Sequence, residues 1–321
     1  MFDRDEMLAQ VARDYYQDHL TQDEIGRRIN ASRSTVSRLL QQAVDRGIVR
    51  IIIDYPWERA HDLEARLVER FRLREAHVLL SKGRDEAIVR DGMGVLAARI
   101  IDREIADRAV LGISYGRSLA STIAALSPSR PAAVTVVPII GALGSENPSI
   151  DGPELVRRLA QTYGGDFRYL PVPLLVDDVR TRDALSQTMP IFETLALARR
   201  ADIILMGIGA LTPGHSSMIW AGYLSEAELA WLRDQGAVGH MVAQFYDING
   251  RMLEVEANQR SVGIGIRSLV GKQLVIAVAG GEPKGEAILG ALRGHYLNVL
   301  VTDDAAARRV LALADAAEGG G

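Results

Sequence analysis

No cysteine occurs in the 321 residues of the chain, which excludes disulfides and thiolate mechanisms and suits a reducing compartment. Lysine is almost as rare: Lys82, Lys272 and Lys284 are the only three, so nearly all positive charge is arginine. The longest apolar run, "AAVTVVPIIGAL" at 132 to 143, contains a proline and falls short of the roughly 20 residues that cross a bilayer. No contact with a membrane is expected. The opening "MFDRDEMLAQ" is acidic and lacks the apolar core of a signal peptide, so a cytoplasmic location is expected. The six histidines, at 19, 61, 77, 215, 240 and 295, show no metal-ligand spacing. Neither a P-loop nor a dinucleotide fingerprint follows a strand-like run, and no G-x-S-x-G nucleophile elbow is expected. No catalytic residue, metal or cofactor is therefore expected.

What is present suits an ordinary soluble protein: 48% of residues are apolar and 24% charged. The length favours two unequal domains over one small core. With a net charge of −4, the chain does not coat nucleic acid wholesale, and any DNA contact must come from a local patch. One exists. Residues 3 to 24 hold seven acids against Arg4 and Arg13, whereas residues 27 to 50 hold six arginines against Asp45.

That basic stretch lies in "LTQDEIGRRINASRSTVSRLLQQAVDRGIVRI", residues 20 to 51. Thr21 and Glu24 match the T-x-x-E capping box, so a helix begins near Gln22. Ile25 and Ile29 share its inner face, and Gly26 leaves room for a close neighbour. Ser32 then caps a second helix whose buried face is Val36, Leu39 and Leu40. Two short helices joined by a tight turn predict a helix-turn-helix. Its outer face presents Ser32, Arg33, Ser34, Thr35, Ser37 and Arg38 near the helix N-terminus, groups that donate to base edges and phosphates. Arg27 and Arg28 are placed for phosphates. "IVRIIID", 48 to 54, reads as a wing strand. A helical hairpin with a solvated charged face is the plainer alternative.

"YPWE" at 55 to 58 breaks the pattern. The expected organisation is a DNA-binding domain over 1–54, a linker over 55–75 with a helix near 59 to 72, and a larger domain over 76–321. In the larger domain, strands are expected at 77–81, 109–114, 133–140, 202–208, 274–280 and 297–302. Several are apolar without alternation, as central parallel strands covered on both faces are. An α/β fold follows.

Four of these strands run into glycine turns. "VLGISYGRSLASTIAAL", 110 to 126, passes from strand through Ser114, Gly116, Arg117 and Ser118 into a helix, a setting that favours an anion. "VIAVAGGEPKGEAILGAL", 275 to 292, repeats the logic with Lys284 at the helix start. "PIIGALGS" at 138 to 145, which contains Gly141, and "LMGIGALTPGHSS" at 205 to 217 are two more. Ligands of open α/β sheets sit outside the carboxyl ends of strands, so the four loops are expected to line one crevice. Asp247, in "QFYDINGR", is a candidate for sugar hydroxyls, although "DING" also reads as a plain hairpin turn.

These stretches, with "ADIILMGIGAL", "VGHMVAQFYDINGR" and "VIAVAGGEPKGEAILGALRGHYLNVLVTDDAAARRVL", resemble the SorC family of bacterial sugar-responsive transcriptional regulators, also called DeoR-like, from about residue 8 to 313. The resemblance implies a winged helix-turn-helix followed by a doubly wound parallel-sheet effector domain with the fold of sugar-phosphate isomerases and glucosamine-phosphate deaminases. It also implies operator DNA as partner, a sugar, polyol or sugar-phosphate effector, and a homo-oligomer, typically a tetramer. By motif position it assigns Ser114, Gly116, Arg117 and Ser118 to the polar head of the effector, Gly141 to the next strand end, Asp247 to hydroxyls and Lys284 to the anion or an oxygen. Members often place lysine or threonine where Arg117 stands. The related deaminases carry an acid before a Gly-His pair, where this chain has Pro213 before Gly214 and His215. That missing carboxylate argues for a regulator over the alternative, an isomerase- or deaminase-like enzyme with a DNA-binding head.

Overall fold

A computed structural model gives the fold and describes residues 4–49, 56–128, 130–144, 147–212 and 222–318. The chain divides into two compact units, Met1–Pro56 and Trp57–Gly321.

The described part of the first unit is three helices, α1 (Arg4–Tyr16), α2 (Gln22–Ile29) and α3 (Arg33–Asp45). The capping box forms: the Glu24 N–H donates to Thr21 Oγ1 at 3.3 Å and the Thr21 N–H to Glu24 Oε2 at 2.8 Å. α2 ends at Asn30 in the left-handed conformation, φ 54, which asparagine tolerates better than most residues. A Cβ on Gly26 would stand 2.6 Å from the Ala31 carbonyl oxygen, so the turn closes only over glycine. The Thr35 N–H then donates to Ser32 Oγ at 3.2 Å and starts α3. Leu8, Val11, Ile25, Val36, Leu40 and Ala43 are buried between the helices, with Ile29 and Leu39 packed at the edge. The wing strand expected over 48–54 lies, from residue 50 on, outside the described residues.

The second unit runs α4 (His61–Phe71), β1 (Glu75–Leu79), α5 (Glu86–Glu104), β2 (Val110–Ile113), α6 (Arg117–Ala125), β3 (Thr135–Pro138), α7 (Gly152–Tyr163) and β4 (Asp166–Phe167). It continues with α8 (Val179–Gln187), α9 (Met189–Arg199), β5 (Ile203–Gly207), β6 (Gly209–Ala210), α10 (Glu226–Asp234), β7 (Gly239–Met241) and β8 (Gln244–Tyr246). Then follow α11 (Glu256–Arg260), β9 (Leu274–Val278), α12 (Gly285–Arg293), β10 (Val299–Asp303) and α13 (Asp304–Glu318). All six expected strands enter one parallel sheet of order β1-β10-β9-β5-β2-β3-β4. β4 and the small antiparallel sheet β6-β7-β8 are additions to that expectation.

Both faces of the large sheet are covered. Ile203 and Leu205 of β5, with Ile276 and Val278 of β9, pack under α5, α6 and α7, while Ile204, Met206, Val275 and Ala277 face α4, α9, α12 and α13. This two-sided burial is why the strands carry no polar alternation. The winding reverses at β2, with β3 and β4 added on one side and β5, β9 and β10 on the other. Such a reversal leaves a crevice at the carboxyl ends of the strands around it.

Candidate functional site

A crevice of about 240 Å³ opens where that reversal predicts it, smaller than the roughly 300–1,000 Å³ of drug-sized ligand sites. The turn after β2 supplies Ser114, Gly116, Arg117 and Ser118, the exit of β5 supplies Gly207 and Gly209, and the turn after β9 supplies Gly280, Gly281 and Lys284. Asp303 at the end of β10 and His240, Met241 and Val242 on the β7–β8 hairpin complete these walls. α5 closes another side with Glu86, Val89, Arg90 and Met93.

Three local features shape the polar end. Gly116 has φ 122 and ψ 168, a glycine conformation, and no side chain caps α6. The free N–H groups and positive dipole end of α6 therefore start at the crevice. A Cβ on Gly280 would stand 2.3 Å from Asp303 Oδ2, so only glycine lets that carboxylate approach. Asp303 accepts hydrogen bonds from the N–H groups of Gly281 at 2.5 Å and Ala306 at 2.8 Å, and so clamps the turn that carries Lys284. Burial pushes the Asp303 carboxyl above the usual carboxylate range, against the pull of those hydrogen bonds.

Lys284 ends the short 3-10 turn Glu282–Lys284 and precedes α12. Its ammonium has no hydrogen bond or ion pair among the described residues. Burial pushes its pKa down and the Arg117 and Arg90 guanidiniums add to the effect, while Glu86 and Asp303 oppose it. A poorly solvated cation among other cations favours an incoming anion.

The structure thus gathers Ser114, Gly116, Arg117, Ser118 and Lys284 around one crevice but sets Gly141 and Asp247 apart. A Cβ on Gly141 would stand 2.3 Å from the Pro173 carbonyl oxygen, and its N–H bonds to Val262 O at 2.9 Å, so this glycine serves a close crossing of backbones. Asp247 Oδ1 accepts from the N–H groups of Asn249 at 2.9 Å and Arg251 at 2.8 Å, which is the plain hairpin-turn role. Pro213, Gly214 and His215 lie outside the described residues. Reasoning from sequence alone missed Arg90, His240 and Asp303, and also passed over a G-x-S-x-G string in Gly112 to Gly116. That string marks a nucleophile elbow only where the serine meets a base. The Ser114 hydroxyl has no hydrogen bond among the described residues, to His240 or to any other group.

On the first unit, Arg27, Arg28, Ser32, Arg33, Ser34, Ser37 and Arg38 are exposed and Thr35 is half-buried. Ser32 Oγ lies 2.9 Å from both Ser34 Oγ and Thr35 Oγ1, so these hydroxyls serve the start of α3 before any ligand. Arg28 pairs with the buried Asp14 at 3.3 Å. Arg27, Arg33 and Arg38 have no ion pair among the described residues.

Comparison with known proteins agrees with both units. Residues 55–312 match the family model described as "Putative sugar-binding domain", and residues 6–46 match "Sigma-70, region 4". The deoxyribonucleoside regulator of Bacillus subtilis is 30% identical over 309 residues, covering 96% of this chain and 98% of that protein. The sorbitol operon regulator of Klebsiella pneumoniae is 30% identical over 314 residues, covering 95% and 97%. The crystal structure of the full-length sorbitol operon regulator SorC from Klebsiella pneumoniae superposes with a TM-score of 0.74 at 29% identity, over 97% of this chain and 100% of that one. With a sugar-binding domain matched over most of its length, regulators as relatives from end to end and a SorC fold, the chain belongs to the SorC family of transcriptional regulators.

Proposed function

We propose that this regulator binds operator DNA through the outer face of α3 and responds to a small phosphorylated sugar held in the crevice. The observation that carries the choice of ligand is the unpaired Lys284 ammonium, set beside Arg117 and Arg90 and close to the uncapped start of α6. A neutral polyol would leave that ammonium with only the longer-range charges of Glu86 and Asp303. A phosphate would meet it with charge-assisted hydrogen bonds worth about 1.5–3 kcal/mol each. Ser118 and the α6 N–H groups would take the remaining phosphate oxygens.

A small reading head gains specificity by pairing on a pseudo-palindromic site, so the working form is a cytoplasmic homo-oligomer, a tetramer, bound to two half-sites. The effector regulates only as far as it binds one arrangement of that assembly better than another. No turnover is part of this function: the relatives named above are regulators, and Ser114, in the elbow-like string, meets no base among the described residues.

A thermal-shift comparison tests the ligand class. Ribose 5-phosphate, fructose 6-phosphate and glucose 6-phosphate are set against ribitol, sorbitol and the free sugars. At least one phosphate ester should raise the melting point, because a ligand of the native state stabilises it, and Lys284→Ala should abolish the rise. A rise with free polyols alone overturns the phosphate assignment. Turnover of a pentose or hexosamine phosphate by the chain would show an enzyme instead.

A further inference from the structure

His240 is the most buried polar side chain on the crevice wall that is committed to nothing else. It is 4% exposed, and its Nε2 has no hydrogen-bond partner among the described residues. No bond from Nδ1 is found among the described residues either. Leaving a buried polar atom unpaired is costly, so native structures rarely keep one without a use. Asp303 shows the contrast, since backbone N–H groups occupy both of its oxygens.

The local geometry presents this ring to the cavity. His240 pairs with Gly209 across the β6–β7 ladder, and both line the crevice. A Cβ on Gly209 would stand 2.1 Å from His240 Nε2, so the imidazole tip occupies the space a side chain at 209 would take. The ring leans instead on Phe245, with centroids 5.4 Å apart. The hairpin that holds it turns through Val242 and Ala243, both at positive φ, 46 and 54. Such values are costly for a β-branched residue and are found where the surroundings over-determine them.

Charge decides what this imidazole can meet. Burial, with the Lys284 charge adding to it, keeps the ring neutral at physiological pH. A neutral imidazole offers one donor and one acceptor, which suits a hydroxyl or carbonyl oxygen better than a phosphate dianion. The crevice therefore has a cationic end at Lys284 and Arg117, and an uncharged polar contact at His240.

We propose that His240 is a specificity-determining residue that hydrogen-bonds a hydroxyl or carbonyl oxygen of the sugar part of the effector, while Lys284 takes its phosphate. This assignment rests on the phosphorylated-sugar reading of the crevice and adds to it the residue that tells a sugar phosphate from phosphate alone.

The test compares inorganic phosphate with the three sugar phosphates named above, by thermal shift and titration calorimetry on the full chain. Wild type is set beside His240→Phe and His240→Gln. Loss of one hydrogen bond with its buried partner should weaken the best sugar phosphate about ten-fold in the phenylalanine variant. Binding of inorganic phosphate should change by less than about two-fold. Glutamine, which keeps a polar tip, should recover part of the loss, and it carries the test alone if the phenylalanine variant does not fold. Equal sugar-phosphate affinity in wild type and variants overturns the assignment and leaves the phosphate reading standing. Parallel loss of both ligands overturns it too, by showing a wall that merely supports the phosphate end. If wild type binds inorganic phosphate but no sugar phosphate, the phosphorylated-sugar reading itself falls and the His240 assignment with it.

Discussion

The Arg28 guanidinium reaches the Asp14 carboxylate at 3.3 Å, and Asp14 is 1% exposed while Arg28 is largely in solvent. Gln10 Nε2 donates to the other oxygen of the same carboxylate at 2.7 Å. Arg28 therefore holds α2 to α1, and its charge is partly neutralised before DNA arrives. Its neighbour Arg27 has no such partner among the described residues. Arg28→Ala should destabilise the first unit by about 1–2 kcal/mol, because a buried carboxylate loses its cation, whereas Arg27→Ala should stay within about 0.5 kcal/mol. Chemical denaturation of the full chain, followed by helix content, separates the two. Equal stability would remove the structural role given to Arg28.

DNA binding should show the reverse order. If Arg27 meets a phosphate as proposed, Arg27→Ala should weaken all DNA sequences alike and reduce the slope of log affinity against log salt by about 0.9. Arg33→Ala and Arg38→Ala should each cost about 1–3 kcal/mol of operator binding and relax specificity at one base pair, if the side chain is bidentate to guanine. Gel-shift titrations at fixed salt on operator and random DNA decide this. A uniform loss on both DNAs would reassign Arg33 or Arg38 to the backbone.

Much of this was legible in the sequence, for physical reasons that differ by element. The helix-turn-helix shows because Thr21, Glu24, Gly26 and Ser32 act within a few residues of one another, through caps and a close turn. The six long strands show because two-sided burial removes polar residues from 203–206 and 274–278. β4 has only two residues at the sheet edge and leaves no pattern. Arg90 and His240 were invisible for another reason: nothing in "AIVRDGM" or "VGHMVAQ" marks a site. They reach the crevice only through the order of the sheet and the fold of a small hairpin. Asp247 differs in the opposite sense: it drew notice as a turn residue, its Oδ1 serves that turn, and it does not line the crevice.

The clamp between Gly280 and Asp303 makes a prediction about the turn itself. A methyl group at 280 would stand 2.3 Å from Asp303 Oδ2 and 2.7 Å from the Met93 sulfur. The carboxylate is held by two backbone N–H groups and cannot retreat without breaking one of them. Gly280→Ala should therefore cost about 1–3 kcal/mol of stability and displace Lys284, reducing the melting-point rise given by a sugar phosphate. Gly271→Ala is a fair control, because its φ of 77 strains any side chain while nothing lies within 4 Å of the new Cβ. Loss of stability in both variants with an intact ligand response in Gly280→Ala would show that the clamp does not position Lys284.

Protonation gives the last prediction. Burial, with the Lys284 charge adding, lowers the His240 pKa from 6.5 to about 4. The unfolded chain takes up a proton at this residue as pH falls below 6.5, and the folded chain does not until about 4. The stability that depends on the neutral ring is therefore complete above pH 6.5 and is lost progressively toward pH 4. Over pH 7 to 5 the loss should be about 2 kcal/mol. Asp303 works in the opposite sense, since a carboxyl whose folded pKa is raised above 3.8 stabilises the fold as pH falls through that raised value. His77, whose pKa burial also lowers, loses stability in the same direction as pH falls, so the difference between wild type and a His240 variant at pH 7 and pH 5 is what isolates His240. Calorimetric melts of wild type and His240→Gln at these two values should show the variant losing clearly less stability than wild type. An identical loss would place the titrating group elsewhere in the chain.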